Sequence, residues 1–221
     1  MKFAIISVGN ELLRGDIAND NAKYIAERLS SMGHGVERIV VVPDRVEDIV
    51  EEIRRLLKYD FIFITGGLGA THDDVTAEAV ARALNRSLVL DGKAVEQVRR
   101  WTDKKEVIKK VASVPEGSEI IFNDAGVAPA FVVGKVAALP GVPEEMRDTF
   151  EKIVERFEKL EVHEEEIRVE GKEEEILEKL NEVVRKFPDV EIGSYPKRGY
   201  VVLKFRGEKR RVVEAKREFL S

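Results

Sequence analysis

The sequence has 221 residues, of which 43% are hydrophobic and 36% are charged, and its formal net charge is −5. This length allows one large domain, or a medium-sized domain with a small one. No apolar run approaches the ~18 residues that a membrane span requires, so we expect no membrane partner. The apolar stretch at the N-terminus is too short for a secretion signal, which makes the cytoplasm the expected location.

The chain contains no cysteine and three histidines. The lack of cysteine excludes disulfides, thiolate catalysis and cysteine-ligated zinc or iron–sulfur sites. A metal ion would need oxygen ligands, which favours hard cations such as magnesium. High Glu, Lys and Arg without cysteine is typical of thermophilic proteins, and the negative net charge argues against nucleic acid as a partner.

The first 160 residues alternate short β-branched runs with helical patterns, which predicts β-α-β units around a mostly parallel sheet. A strand over 3–8 is followed by a polar loop and then by a helix for which Asn19 or Asp20 is the expected cap. A second strand over 36–43 and a second helix come next. The strand over 61–65 is apolar throughout, as expected for a buried central strand.

Beyond residue 70 the pattern predicts a helix over 75–84, one charged helical stretch over 91–105 and short strands between 119 and 139, followed by a final helix. Together these elements predict an α/β fold for residues 1–160, a three-layer α/β/α sandwich with a mostly parallel sheet. Residues 161–221 differ in composition and show a β-α-β-β-α pattern, which predicts a separate small α+β domain.

The strongest functional signal is Gly66-Gly67-Leu68-Gly69, directly after the apolar strand. Ligands of open parallel sheets bind at the carboxyl ends of strands, and glycines let backbone N–H groups approach phosphate oxygens. The segment matches neither the dinucleotide fingerprint nor a Walker loop. A tight turn is the alternative, but three glycines in four residues exceed what a turn needs. We therefore expect a phosphate-binding loop.

Acidic and hydroxyl side chains follow this loop. Asp73 and Asp74 are placed at the start of the next helix, where one of them is expected to be the N-terminal cap. The other is a candidate ligand for a divalent ion that bridges ligand phosphates. Asp44 follows the second strand at the same edge, where spacing alone favours a turn or capping role. Thr71 and Thr76 flank the acidic pair and are further candidates for ligand binding.

Two other loops reach the same edge of the sheet. The loop after the first strand is longer than a plain connection requires. In and beyond it, Glu11 is a candidate metal ligand or general base, and Asn19 and Asn21 are candidates to read a base or ring edge; a solvated loop with a helix cap is the alternative. The rigid segment at Pro140 and Gly141 is either a structural corner or a wall of the pocket.

At these residues the chain resembles the molybdopterin-binding domain shared by molybdenum-cofactor biosynthesis proteins, and in particular the N-terminal part of CinA (competence/damage-inducible) proteins. The matching stretches are Val8-Gly9-Asn10-Glu11-Leu12-Leu13, Asn19-Asp20-Asn21-Ala22, Val42-Pro43-Asp44, Thr65-Gly66-Gly67-Leu68-Gly69, Asp73-Asp74-Val75-Thr76, Ala125-Gly126-Val127-Ala128-Pro129 and Leu139-Pro140-Gly141-Val142-Pro143. Residues 161–221 resemble the middle domain of CinA proteins.

The resemblance implies that the ligand's phosphate lies on the loop 66–69. It also places Asp44 and Asp74 at the positions of the family's two functionally important aspartates. Asp44, Asp74 and Glu11 are therefore the candidate catalytic residues, and Asp73 and Asp74 are the candidate metal ligands.

The family contains more than one activity. Its biosynthetic members adenylylate molybdopterin with magnesium, whereas the similar domain of CinA proteins is associated with metal-dependent ADP-ribose pyrophosphatase activity. Position 68 is leucine, as in CinA proteins, where the biosynthetic enzymes usually carry threonine. CinA proteins often have a further C-terminal amidase domain that acts on nicotinamide mononucleotide; the sequence ends before such a domain, so deamidation is not expected of it.

The leading hypothesis is therefore a metal-dependent hydrolase of an ADP-ribose-type nucleotide, using magnesium, manganese or cobalt, with potassium as a further candidate ion. One alternative is a molybdopterin-binding or adenylylating protein of molybdenum-cofactor metabolism. The other is a non-enzymatic ligand- or RNA-binding module, suggested by nine basic residues between 197 and 217. That segment has no Gly-x-x-Gly clamp, and a dimerisation or lid role for the small domain is preferred. We expect a homo-oligomer, with a dimer favoured.

Overall fold

The computed structural model describes all 221 residues and divides into two compact units, Met1–Glu158 and Lys159–Ser221. None of its helices has the length and apolar character needed to cross a membrane. The elements of the first unit are β1 (Lys2–Val8), α1 (Asn10–Arg14), α2 (Asp20–Ser31), β2 (Gly35–Val42), α3 (Val46–Leu56), β3 (Phe61–Thr65), α4 (Thr76–Ala83), β4 (Leu88–Leu90), α5 (Gly92–Arg99), α6 (Lys105–Val111), β5 (Ser113–Pro115), β6 (Glu119–Ile121), β7 (Ala130–Val133), β8 (Val136–Leu139) and α7 (Pro143–Val154). Those of the second unit are β9 (His163–Glu170), α8 (Glu173–Lys186), β10 (Glu191–Lys197), β11 (Tyr200–Gly207) and α9 (Lys209–Leu220).

The first unit is built on a six-stranded sheet in the order β2-β1-β3-β8-β7-β6. The first four of these strands are parallel, and β7 runs antiparallel to both β8 and β6. Every residue of β3 is buried, as its apolar sequence predicts for a central strand. Helices cover both faces, so the predicted α/β/α sandwich is confirmed.

Side chains alternate between the two faces of the sheet, because successive residues of a strand point in opposite directions. Ile6 and Ile64 belong to the core shared with α3 and α4. Ile5 and Phe63 belong to the core shared with α2 and α7, where the Phe63 and Phe150 ring centroids lie 5.1 Å apart. Full burial of one such side chain contributes roughly 1.5–3 kcal/mol. The strand ends are thereby fixed as a rigid platform for the loops that follow them.

Three local predictions need correction. The loop after β1 contains the short helix α1, and the single helix predicted over 91–105 ends at Arg99 as α5, while α6 begins only at Lys105. The two-stranded antiparallel sheet of β4 and β5 was not predicted. Asp91 caps α5 by accepting hydrogen bonds from the backbone N–H groups of Lys93 and Ala94. The break after Arg99 was missed because the segment on both sides is charged and helical in pattern, whereas the turn itself is held by a local hydrogen bond from the Lys104 N–H to the Thr102 hydroxyl at 3.2 Å.

The second unit has the predicted β-α-β-β-α order, with an antiparallel sheet in the order β10-β11-β9 and the helices α8 and α9. Its core is formed by β11 and by helix residues such as Val183 and Phe219. Lys197 pairs with Tyr200 across a two-residue turn. Pro196 lies inside β10, which is tolerated because β10 is an edge strand.

Candidate functional site

The loops after β1, β2, β3 and β8 enclose a cavity of about 540 Å³, the first cavity, at the carboxyl ends of the parallel strands. The structure brings most of the predicted site residues to its lining. These are Glu11, Asn19, Asn21, Asp44, Gly66, Gly67, Thr71, Asp73, Asp74 and Gly141. Leu68, Gly69 and Pro140 line a neighbouring second cavity instead, and Thr76 is fully buried beneath the loop.

The first two positions of the glycine loop accept only glycine. Gly66 has a φ of +103°, and a Cβ atom on it would lie 2.3 Å from the backbone oxygen of Val8. Gly67 has a φ of +68°, and its Cβ would lie 2.4 Å from Oγ1 of Thr76. Both residues thus combine a left-handed backbone with close contacts on β1 and α4. A side chain at either position would push the loop away from the strand ends.

Two N–H groups of this loop face no acceptor within the protein. Gly66 N–H donates to the Leu139 carbonyl at 3.1 Å, and Gly69 N–H donates to Oδ1 of Asp74 at 2.7 Å. The intervening N–H groups of Gly67 and Leu68 form no hydrogen bond. Successive unpaired backbone donors in a tight loop form a concavity suited to an anion.

Asp74 fastens the loop and does not cap the helix. Its Oδ2 accepts from the backbone N–H of Thr71 at 2.8 Å and from the Thr71 hydroxyl at 2.5 Å. Helix α4 begins after Val75 without any side-chain cap, so the prediction that an aspartate caps this helix is wrong. The backbone N–H groups of Gly69 and Thr71, in the preceding loop, already donate to the Asp74 carboxylate. Thr76, at the first position of α4, donates its hydroxyl to the Gly66 carbonyl at 2.8 Å.

Asp73 lies beside Asp74 at the opening of the cavity. The hydroxyl of Thr71 makes a short contact with its Oδ1, and this hydrogen bond holds the pKa of Asp73 below its usual range. One hydroxyl proton serves only one of the two carboxylates at a time. Because Asp74 also accepts from two backbone N–H groups, Asp73 is the more available of the two to a cation or to a donor on a ligand.

Asp44 connects the end of β2 to α1. Its Oδ2 accepts from the backbone N–H of Asn10 at 2.8 Å, a tethering role that agrees with the turn or capping function favoured by spacing. The side chain of Glu11 folds back over Gly9, where an added Cβ would lie 2.2 Å from Oε1 of Glu11. Both carboxylates line the first cavity with Asp74.

The two asparagines are mainly structural. Asn19 caps α2 by accepting from the Ala22 N–H at 3.4 Å, which confirms it as the predicted cap. Asn21 donates from Nδ2 to Oγ1 of Thr65 at 2.9 Å and to the Gly141 carbonyl at 2.8 Å. Its Oδ1 is buried without a partner. Asn19 Nδ2 and Asn21 Oδ1 are the side-chain atoms of the two residues that form no hydrogen bond within the protein.

The structure contains no group of three or more His, Asp or Glu side chains that could hold a metal ion. Both oxygens of Asp74 and one oxygen of Asp44 already accept backbone hydrogen bonds. A cation here would need phosphate oxygens of the ligand as additional ligands, so the assignment of Asp73 and Asp74 to a metal stays a prediction.

The second cavity, of about 440 Å³, contains a carboxylate that the sequence did not single out. Glu145 is half-buried, and its Oε2 accepts from Nδ2 of Asn123 at 2.9 Å. Burial raises the pKa of Glu145, and the hydrogen bond from Asn123 opposes this shift. A Cβ on Gly126 would lie 2.1 Å from the Glu145 carboxyl carbon. The sequence signal that could have pointed to Glu145 was Gly126, which lies in the matching stretch Ala125-Gly126-Val127-Ala128-Pro129.

Comparison with known proteins assigns both units. The family model described as a probable molybdopterin binding domain matches residues 4–159. The model described as the middle domain of FAD synthase matches residues 161–221.

Similar proteins cover either nearly the whole chain or about 70% of it. A protein of Archaeoglobus fulgidus is 57% identical over 221 residues, which is 99% of this chain and 96% of that protein. A CinA-like protein of Thermotoga neapolitana is 44% identical over 164 residues, which is 70% of this chain and only 40% of that protein.

A solved structure extends the likeness to three dimensions. The crystal structure of the protein CinA, of unknown function, from Thermoplasma acidophilum aligns with a TM-score of 0.66 and 34% identity. It covers 71% of this chain, and the alignment spans 98% of the solved one. The chain therefore belongs to the family of molybdopterin-binding domains, as a CinA-like member that carries an additional C-terminal unit similar to the middle domain of FAD synthase.

Proposed function

We propose that the unit Met1–Glu158 binds a phosphorylated pterin of the molybdopterin type, with the phosphate on the glycine loop. The observation that carries this proposal is the pair of unpaired N–H groups at Gly67 and Leu68, in a loop whose shape is imposed by the surrounding backbone. The family match supports a pterin as the ring. Backbone donors fixed in advance bind an anion without further ordering cost.

The charge of the first cavity adds a condition to this proposal. Glu11, Asp44, Asp73 and Asp74 all line it, and carboxylates repel a phosphate unless positive charge lies between them. Part of the negative charge of Asp74 is compensated by the backbone N–H groups of Gly69 and Thr71, which donate to it. We expect ligand affinity to rise with magnesium, manganese or cobalt, because a cation shared between carboxylate and phosphate removes this repulsion.

A fluorescence titration with neopterin monophosphate tests the proposal. The wild type should bind this probe more tightly than phosphate-free neopterin, and Gly67→Ala should remove the difference by displacing the loop. Gly134→Ala is the control, since Gly134 also has a positive φ (+59°) but its Cβ would meet open space. Equal affinity for neopterin with and without phosphate would contradict a phosphate-binding loop.

Hydrolysis of an ADP-ribose-type nucleotide is the second candidate. It is favoured by the location of Glu11, Asp44 and Asp74 in the same cavity as the loop and by the CinA resemblance. In that reaction water attacks one phosphorus of the diphosphate and the P–O–P bridge breaks, which yields AMP and ribose 5-phosphate. Release of AMP with magnesium, manganese or cobalt, lost in Asp44→Asn, would support it. Binding of ADP-ribose without AMP release would rule it out.

A further inference from the structure

The second cavity is apolar except for its two carboxylates. Its walls include Val107, Val111, Val127, Ala128 and Val142. Asp74 lies on the glycine-loop side, which leaves Glu145 as the ionisable side chain among the apolar walls. The two cavities share Gly67, Asp74 and Gly141 in their linings. A ligand with its phosphate on the loop can therefore extend a flat ring into the second cavity.

Glu145 is held in place by a fully buried polar network. Asn123 donates from Nδ2 to the Ala128 carbonyl at 2.8 Å and to Oε2 of Glu145 at 2.9 Å. Gln97 fixes the backbone around it, donating from Nε2 to the carbonyls of Asn123 and Gly126 at 2.7 and 2.9 Å. Both amide residues are fully buried. The carboxylate is thus oriented before any ligand arrives.

A structural role in the helix does not explain this arrangement. Glu145 lies in the first turn of α7, where a negative charge is favourable, but exposed Glu144 lies in the same turn. No side chain caps α7, so Glu145 does not bond back to the helix start as a capping glutamate would. Its carboxylate instead packs against Gly126, where even a methyl group would collide with it.

The free oxygen of this carboxylate defines what it can bind. Oε2 accepts from Asn123, and Oε1 forms no hydrogen bond. A half-buried carboxylate is stabilised by N–H donors that replace its lost water. The pyrimidine edge of a pterin presents two adjacent donors, N3–H and the 2-amino group. Adenine presents its 6-amino group beside N1, an acceptor whose lone pair would face the carboxylate.

We propose that Glu145 is a specificity-determining residue that accepts hydrogen bonds from the 2-amino-4-oxopyrimidine edge of a pterin and selects it over adenine. This inference rests on the proposed function, because it assumes that the phosphate of the same ligand lies on the glycine loop.

The test compares Glu145→Gln with Glu144→Gln in the full chain, since both remove one negative charge from the same helical turn. Glutamine retains an oxygen for Asn123 but presents an NH₂ group in place of the second acceptor. Affinity is measured for neopterin monophosphate, ADP-ribose and inorganic phosphate, and thermal unfolding verifies that both variants are folded. We expect Glu145→Gln to weaken neopterin monophosphate binding about tenfold or more. ADP-ribose and inorganic phosphate should bind no more weakly than to the wild type.

Failure of the two proposals can be told apart. If the wild type binds neopterin monophosphate and the two variants bind it equally well, Glu145 has no role in recognition and this inference is overturned alone. An equal loss of neopterin monophosphate and ADP-ribose binding in Glu145→Gln would overturn the claimed selectivity. If the wild type does not bind neopterin monophosphate, the proposed function is overturned and this inference with it.

Discussion

The two units of the chain both carry exposed ion pairs, but they differ in how their other polar residues are used. In Met1–Glu158, Asp74, Asn21 and Asn123 bond to backbone groups and hold loops at the ends of strands. In Lys159–Ser221, charged side chains bond mainly to each other. The pairs are Lys204 with Glu164 and Glu166, Arg210 with Glu214, Arg211 with Asp189 and Glu214, and Lys216 with Glu165.

This difference separates residues that shape a binding site from residues that only carry charge at the surface. Loop-fastening residues and glycines without room for a Cβ create a fixed concave site, whereas exposed ion pairs adjust the surface charge. Four of the nine basic residues that suggested RNA binding, Lys204, Arg210, Arg211 and Lys216, are paired with carboxylates. The basic segment is therefore less available to a phosphate backbone than its sequence implied. The expected homo-oligomer stays a prediction that light scattering would check.

The largest effect that would test this contrast is expected from Gly66→Ala. The substitution forces a methyl group onto the Val8 carbonyl at a positive φ, which combines a left-handed backbone cost of ~1–2 kcal/mol with overpacking of ~1–3 kcal/mol. Urea unfolding should show the sum as a lower free energy of unfolding, and neopterin monophosphate binding should be lost. Gly134→Ala, which meets open space, should show only the backbone cost. Equal losses in the two variants would mean that the loop tolerates displacement.

A smaller effect is expected from Asp74→Asn. The N–H groups of Gly69 and Thr71 both donate to the Asp74 carboxylate, and the asparagine would place its own NH₂ donor against one of them. A donor left without an acceptor costs ~1–3 kcal/mol. Asp73→Asn is the matched control, since Asp73 is exposed and accepts only from the Thr71 hydroxyl. Urea unfolding should separate the variants, with Asp74→Asn the less stable. If Asp73→Asn is equally destabilised, Asp74 does not fasten the loop.

Local patterns predicted most of the fold. The apolar runs of β1 and β3 and the helical spacing of α2 each depend on neighbouring residues, so the sequence displays them directly. Short elements such as α1 and β4 lack enough residues to establish a period. Their positions depend on contacts made elsewhere in the chain, for example the pairing of β4 with β5.

The candidate site was predicted unevenly for the same reason. The glycine loop is a continuous motif, whereas Glu145 and Asn123 meet only because α7 packs beside the segment after β6. One of Asp73 and Asp74 was wrongly expected to cap α4, because the position of the pair before a helix resembles that of a cap. Sequence spacing does not reveal that the N–H groups of Gly69 and Thr71 bind Asp74 first.

The pH dependence of stability tests a buried group outside the site. His34 is 3% exposed among the rings of Phe3 and Phe157, and both its ring nitrogens lack a hydrogen-bond partner. Burial, and then the nearby N-terminal charge, lower its pKa from the ordinary 6.5, while Glu158 opposes the shift. The unfolded chain therefore binds this proton more readily than the folded one, and stability should fall as the pH decreases below 6.5.

Chemical denaturation at pH 8 and pH 5 of wild type and His34→Phe measures this contribution. Phenylalanine keeps the aromatic contacts and cannot titrate, so His34→Phe should lose less stability between the two pH values than the wild type. His72→Gln removes an exposed histidine and should retain the wild-type difference. An identical pH dependence in wild type and His34→Phe would show that protonation of His34 does not lower the free energy of unfolding.

The smallest effect is expected in the second unit, from Arg211→Ala. Arg211 donates to Asp189 and Glu214 and stacks over the Phe187 ring at 4.7 Å, and its guanidinium lowers the pKa of Asp189. Because these ion pairs are exposed, solvent and salt screen them. Thermal unfolding should show a slight loss in dilute buffer that shrinks in 1 M salt but does not vanish, since the close stacking of the guanidinium on the ring is screened less than the ion pairs. Arg198→Ala, in the turn between β10 and β11, should leave unfolding unchanged. A loss comparable with that of Gly66→Ala would mean that the ion pairs organise the second unit as firmly as the loops organise the first.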